Sequence, residues 1–183
     1  MQGALELFAS KGFYNTTIPD IANALEMSAG NMYNYFKSKD VLAKEIIIFI
    51  SKYLGEKLKE INEKDINTKE KTKEIVKVYF ETAKKHPEMI DYFLRVYLSN
   101  REVFKDGCEG ITCVNDFVME IMIYFEEGVK AGNLREQDFF SAFGLFMGYL
   151  GGMVFLKGEN LLPKELDEYI DDISYNIYKA LSI

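Results

Sequence analysis

Proline is scarce in this chain, with three residues in 183. Helices are therefore seldom interrupted, and the plentiful Lys, Glu, Ile and Leu favour an all-α fold. Histidine is scarcer still: His86 is the only one, directly before Pro87. No nucleophile–base set, phosphate loop or metal-ligand cluster accompanies it, so the sequence argues against an enzyme and calls for no cofactor, metal or catalytic residue. Cysteine is limited to Cys108 and Cys113. Such a pair is a weak metal or redox signal, and two ordinary buried or loop thiols are the simpler expectation. No leader pattern opens the sequence, so a reducing cytoplasm is the expected compartment. Arginine is absent from residues 1–55, where five lysines face five acids. The net charge of −7 therefore falls on the rest of the chain. A neutral head on an acidic body binds phosphate locally, with little help from a long-range field.

Apolar residues make up 48% of the chain and charged ones 28%, as in ordinary soluble domains rather than disordered ones. One stretch, FFSAFGLFMGYLGGMVFL at 139–156, carries no charge. Its length touches the lower limit of a spanning helix, about 18 residues. Gly144, Gly148 and Gly152 repeat every fourth position, a close-packing face also found in membrane dimers. Four glycines in a barely sufficient length favour a buried helix of a soluble oligomer, with no membrane involved.

About nine helices are expected from the apolar period. ALELFASKG reads as a helix with Leu5 and Phe8 on one face and Gly12 as its stop. In TTIPDIANAL, Thr17 is an N-cap with Asp20 three residues on, as in a capping box. Ser28 caps a third helix through Phe36, and Ser38 a fourth from Lys39 to about Leu58. A fifth spans about 68–85, stopped by Pro87. A sixth covers 88–98, 99–111 is irregular, and a seventh covers 112–131. The uncharged helix follows at 136–157. Pro163 is expected to open the last, whose stripe is Leu166, Ile170, Ile173, Ile177 and Leu181.

The segment SAGNMYNYFKSK, residues 28–39, violates several local rules together. Gly30 and Asn31 are poor helix formers, and Lys39 puts a cation in a first turn, where the helix dipole disfavours it. Two short helices, a tight turn and a second helix with a small polar outer face describe a helix-turn-helix DNA reader. On that outer face, Asn31 and Asn34 carry amides suited to adenine edges and Ala29 a methyl suited to thymine. Thr17 and the tyrosine hydroxyls are phosphate donors. A phosphate lying on the next helix N-terminus would reverse the penalty on Lys39.

Residues 16–42, TTIPDIANALEMSAGNMYNYFKSKDVL, resemble the helix-turn-helix of TetR-family transcriptional regulators. The likeness rests on Phe8, Gly12-Phe13, Thr16-Thr17, Ile21-Ala22, Ser28, Gly30, Tyr33, Tyr35-Phe36 and Lys37-Ser38-Lys39 at fixed spacing. It covers about residues 1–50. Beyond them only length and helical pattern agree. The resemblance implies a DNA-binding domain at 1–45 and a helical ligand-binding and dimerisation domain at 46–183. The chain starts inside what is normally the first helix, which is therefore expected to be truncated. By position, Thr17 and Lys39 would hold phosphates, with Ser28 at the helix start. Ala29, Asn31, Tyr33 and Asn34 would face bases or nearby backbone. Tyr35 would lie on the sugar-phosphate chain, and Gly30 would permit close approach. Without arginine in the head, the usual arginine–guanine contact is missing, so an A·T-leaning or shape-read site is expected.

The same resemblance implies a homodimer through the last two helices, on a palindromic double-stranded operator. Gly144, Gly148 and Gly152, with Ile170, Ile173 and Ile177, are the candidate interface. It also implies an effector pocket among the middle helices. Phe80, Phe93, Tyr97, Met119, Met122, Phe125 and Met147 are its candidate lining, and the sparse polar groups point to a small hydrophobic or aromatic effector. The expected function is ligand-responsive repression by occupancy of the operator. The competing expectation is a helical ligand-binding or interaction protein without sequence-specific DNA binding.

Overall fold

A computed structural model describes residues 1–100, 102–109 and 111–183. Arg101 and Gly110, within the expected irregular segment 99–111, lie outside the described residues. The described chain is all-helical apart from one isolated bridge between Leu134 and Ser182. It folds as two compact units, Met1–Tyr53 with His86–Asn115, and Leu54–Lys85 with Asp116–Ile183. The packing thus divides inside one long helix rather than at residue 45.

The first unit begins with α1 (Gln2–Lys11), α2 (Ile18–Ala24) and α3 (Ala29–Tyr35). The first part of α4 (Lys39–Asn62), then α6 (Pro87–Asp91) and its π-helical continuation Tyr92–Tyr97, complete it. Gly12 ends α1 at φ 82, a left-handed conformation that glycine adopts without strain. Leu5, Phe8, Ile21, Met32, Leu42 and Ile46 close the core of the head. Tyr92 is fully buried, and its hydroxyl donates to the Ala43 carbonyl at 2.8 Å. The expected sixth helix is therefore real but widens after Asp91, where the Leu98 N–H reaches the Phe93 carbonyl five residues back. Cys108 and Cys113 form a disulfide with a Cα–Cα distance of 5.0 Å. That corrects the expectation of two ordinary thiols: the turn brings the pair within bridging range.

The second unit holds the rest of α4, α5 (Thr68–Lys85), α7 (Asn115–Lys130, all but its first residue), α8 (Phe139–Gly158) and α9 (Ile170–Leu181). Gly55 of α4 lies so close to α7 that an added Cβ would stand 2.9 Å from the Asp116 backbone. Inside, the hydroxyls of Thr72 and Tyr124 hydrogen-bond at 2.6 Å, so the buried phenol is satisfied. The last helix departs from expectation. Pro163 stays in the connection, and Glu165 and Glu168 form the capping box of a 3-10 turn, Leu166–Tyr169, that leads into α9. By length and composition α8 would cross a membrane. Its Ala142, Phe146 and Leu150, however, are core residues of this unit.

Candidate nucleic-acid interface

The starts of α2 and α3 are fixed by side chains legible in the sequence. The Thr17 hydroxyl donates to the Asp20 carboxylate at 2.6 Å, and accepts from the Asp20 N–H at 3.2 Å. The Thr17 N–H also reaches that carboxylate, at 2.8 Å. These bonds, the Thr17 hydroxyl first, hold the Asp20 carboxyl below its ordinary range. Pro19 sits in the first turn of α2, where no N–H is required. The Ser28 hydroxyl then accepts from the Asn31 N–H at 3.2 Å and starts α3.

Only Met32 of α3 is buried. Ser28, Gly30, Asn31, Tyr33, Asn34 and Tyr35 are all exposed, Tyr33 at 53% and Tyr35 at 68%, while Ala29 is half-buried. Gly30 has open space where a Cβ would stand, and its backbone is not left-handed. Nothing in the chain itself requires glycine there, although it weakens the helix by about 1 kcal/mol relative to alanine. A Cβ-free position beside two amide side chains is what close approach to a groove floor needs.

Two residues expected to hold phosphates are engaged internally. The Lys39 ammonium donates to the carbonyls of Phe13 at 2.9 Å and Thr16 at 3.0 Å. It also lies 4.2 Å from the centre of the Phe13 ring. The cation that seemed misplaced in a first turn is a tie between α4 and the loop before α2. Thr17 spends its hydroxyl proton on Asp20. Lys44, too, donates to the Asp106 carbonyl. Lys11 and Lys37 remain exposed, their side chains with no hydrogen bond or ion pair among the described residues. Tyr14, 66% exposed and edge-on to Phe13 at 5.4 Å, adds a phenol to the head surface. Nothing in the sequence pattern marks it, because an exposed aromatic in a turn leaves no periodic signal.

The sequence model described as "Bacterial regulatory proteins, tetR family" matches residues 1–46. Over these residues the chain is similar to TetR-family regulators. It is 27% identical over 190 residues to the HTH-type transcriptional regulator YerO of Bacillus subtilis (strain 168), covering 98% of this chain and 63% of that one. Over 93 residues it is 27% identical to the HTH-type transcriptional repressor KstR2 of Mycolicibacterium smegmatis, covering 50% of this chain and 45% of that one. The chain thus spans less than two thirds of the length of either of these two relatives. In fold it is similar to the regulator FadR of Bacillus subtilis in complex with stearoyl-CoA, with a TM-score of 0.81 at 18% identity, covering 98% and 96% of the two chains.

The second unit contains an open cavity of about 340 Å³ between the end of α7 and the start of α8. Met122, Phe125, Val129, Leu134, Phe139 and Ala142 form its apolar wall. Glu126, Lys130, Arg135, Glu136 and Gln137 complete it. Of the expected lining, only Met122 and Phe125 are here. Met147 borders a much smaller apolar void that Tyr79 also lines. The Tyr79 hydroxyl has no hydrogen-bond partner among the described residues, and burial raises its pKa. Phe80 is ordinary core and Met119 is exposed. Phe93 and Tyr97 stack on each other at 5.6 Å within the first unit. Within the second unit, the expected residues therefore do not share one site.

On α8, Gly144, Gly148 and Gly152 all face open space. On α9, Ile173 and Ile177 are buried by their own chain, whereas Ile170 is half-buried. A stripe with helical period serves intrachain packing as readily as an interface, and for these two isoleucines the structure makes it intrachain.

Proposed function

We propose that this protein is a ligand-responsive transcriptional repressor that binds a palindromic operator as a homodimer in the cytoplasm. The observation that carries the reading is the outer face of α3. It presents Asn31, Asn34, Tyr33 and Tyr35 around a glycine that the fold does not need. Asn31 and Asn34 read base edges, Ala29 meets a thymine methyl, and the tyrosines with Lys11 and Lys37 contact phosphate. Thr17 and Ser28 start α2 and α3, and Lys39 ties α4 to the segment before α2.

The dimer forms over the open glycine face of α8 and places two recognition helices about 34 Å apart, one turn of DNA. The effector is apolar in its main part and enters the second unit. A named repressor among the relatives, and a similar fold solved with an acyl thioester, favour this reading. Occupancy of the operator blocks transcription. An effector that prefers the non-binding arrangement shifts α4, which belongs to both units, and releases the DNA.

Selection of bound fragments from sheared genomic DNA of the source organism, at about 100 mM salt, tests the reading, because phosphate contacts make affinity salt-dependent. A recovered palindrome supports it. A folded dimer that enriches no sequence over bulk DNA refutes it.

A further inference from the structure

The wall of the 340 Å³ cavity between α7 and α8 separates its polar groups into two kinds. Glu126, Lys130, Arg135 and Glu136 are exposed and form no ion pair among the described residues. Two carboxylates and two cations cancel, and each stays in water, where a charged contact contributes little. A site built for an ionic head instead presents a partly buried counter-charge, because only desolvation makes that contact strong. The polar wall residue withdrawn from water is Gln137, which is half-buried. Its amide has no hydrogen-bond partner among the described residues and offers both a donor and an acceptor.

We propose that this cavity is the effector site and that it selects an amphiphile without net charge. The space is that of about eleven water molecules at roughly 30 Å³ each, so an apolar body of about that many non-hydrogen atoms fills it. A terminal hydroxyl or carbonyl bonds to the Gln137 amide. The volume lies at the lower end of the range for ligand pockets, which excludes bulky polycyclic bodies unless the walls move. The inference rests on the reading of the second unit as the ligand-binding part of the regulator, and it adds the head-group chemistry and the residue that reads it. Met122, Phe125 and Phe139 supply the adaptable and flat surfaces that hold a chain.

Titration calorimetry of the full chain with 1-decanol, decanoate, decyltrimethylammonium and 1-chlorodecane tests it. The expected result is saturable binding of decanol, with neither ionic probe binding more tightly. Gln137→Leu should weaken decanol roughly three- to tenfold, the worth of one neutral hydrogen bond. It should leave chlorodecane unchanged. Val129→Trp, at a partly exposed position on the wall, should abolish binding of both while circular dichroism stays native. Absence of decanol binding, tighter binding of decanoate or of the ammonium probe, or an unaltered decanol affinity in Gln137→Leu would each overturn the proposal. Operator affinity of the ligand-free chain, measured in parallel, separates this failure from failure of the DNA-binding reading.

Discussion

Lys39 and Phe13 are joined twice: the lysine ammonium donates to the Phe13 carbonyl at 2.9 Å and lies 4.2 Å from the centre of the Phe13 ring. With the Thr16 carbonyl at 3.0 Å, the contact pins the start of α4 to the segment that leads into α2. Charged hydrogen bonds of this kind contribute about 2 kcal/mol. Lys39→Ala should therefore lower stability in urea denaturation by about that amount. Lys39→Arg, with a planar fork in place of a compact ammonium, should recover only part of the loss. If Lys39→Ala weakened DNA binding at unchanged stability, the residue would be a phosphate ligand after all.

The engagement of Lys39 and Lys44 with backbone carbonyls leaves residues 1–45 few free cations. Lys11 and Lys37 provide two for each subunit, four in a dimer. Release of counterions by four contacts gives a slope of about −4 for log affinity against log salt. Operator binding measured between low and moderate salt should show that shallow slope. A slope twice as steep would require cations beyond those named.

The reading helix makes a sequence-level prediction. Asn31→Ala and Asn34→Ala should each relax the preference for adenine at one position of every half-site. The cost should be about 1–3 kcal/mol of discrimination against the wrong base pair. Parallel selection with the wild-type chain and each variant compares the recovered motifs. Identical motifs from all three would remove the amides from the interface. Tyr33→Ala should instead weaken all sequences alike, as loss of a backbone contact does.

Much of this head was legible in the sequence because its signals are local. Thr17 with Asp20 and Ser28 with Asn31 are pairs three residues apart, and both caps form as their spacing dictates. The role of Lys39 was not legible. Its acceptors are backbone carbonyls 26 and 23 residues away, and a carbonyl has no letter of its own. In the second unit, the stripe of α9 gave the helix but not the neighbour that Ile173 and Ile177 meet. Met122 and Phe125 reached the cavity through their apolar pattern. Gln137, in a polar turn, carried no pattern at all. Pro163 misled because it can open a helix or simply stiffen a connection, and the Glu165–Glu168 cap decided between them.

The capping box of α2 has a pH signature. The folded Asp20 carboxyl titrates below its ordinary range because Thr17 bonds its charged form. A depressed pKa contributes stability above the unfolded value, near 4, that is lost as pH falls through the folded value. Between pH 8 and pH 5 this cap should therefore leave the stability of the head unchanged. Thr17→Ala should cost about 1 kcal/mol at neutral pH. Below about pH 4 that difference should shrink but not vanish, since protonation of Asp20 weakens the bonds to its carboxylate and leaves the bond from the Asp20 N–H to the Thr17 hydroxyl. Denaturation midpoints of the two proteins across this range give the comparison, and a difference that grows on acidification would show that the bonds belong to the protonated acid.

The glycine face of α8 separates assembly from folding. An added Cβ at Gly148 meets nothing within 4 Å in the chain itself. Replacing that glycine by a better helix former should leave the subunit intact, or stabilise it by up to about 1 kcal/mol. In a dimer whose α8 helices approach closely over Gly144, Gly148 and Gly152, a large side chain there forces the helices apart. Gly148→Leu should therefore yield a folded monomer by sedimentation, with native helicity. It should also bind a palindromic operator far more weakly, because one reading helix must then bind without its partner. If Gly148→Leu remained a dimer with unaltered operator affinity, the subunits would meet over another surface.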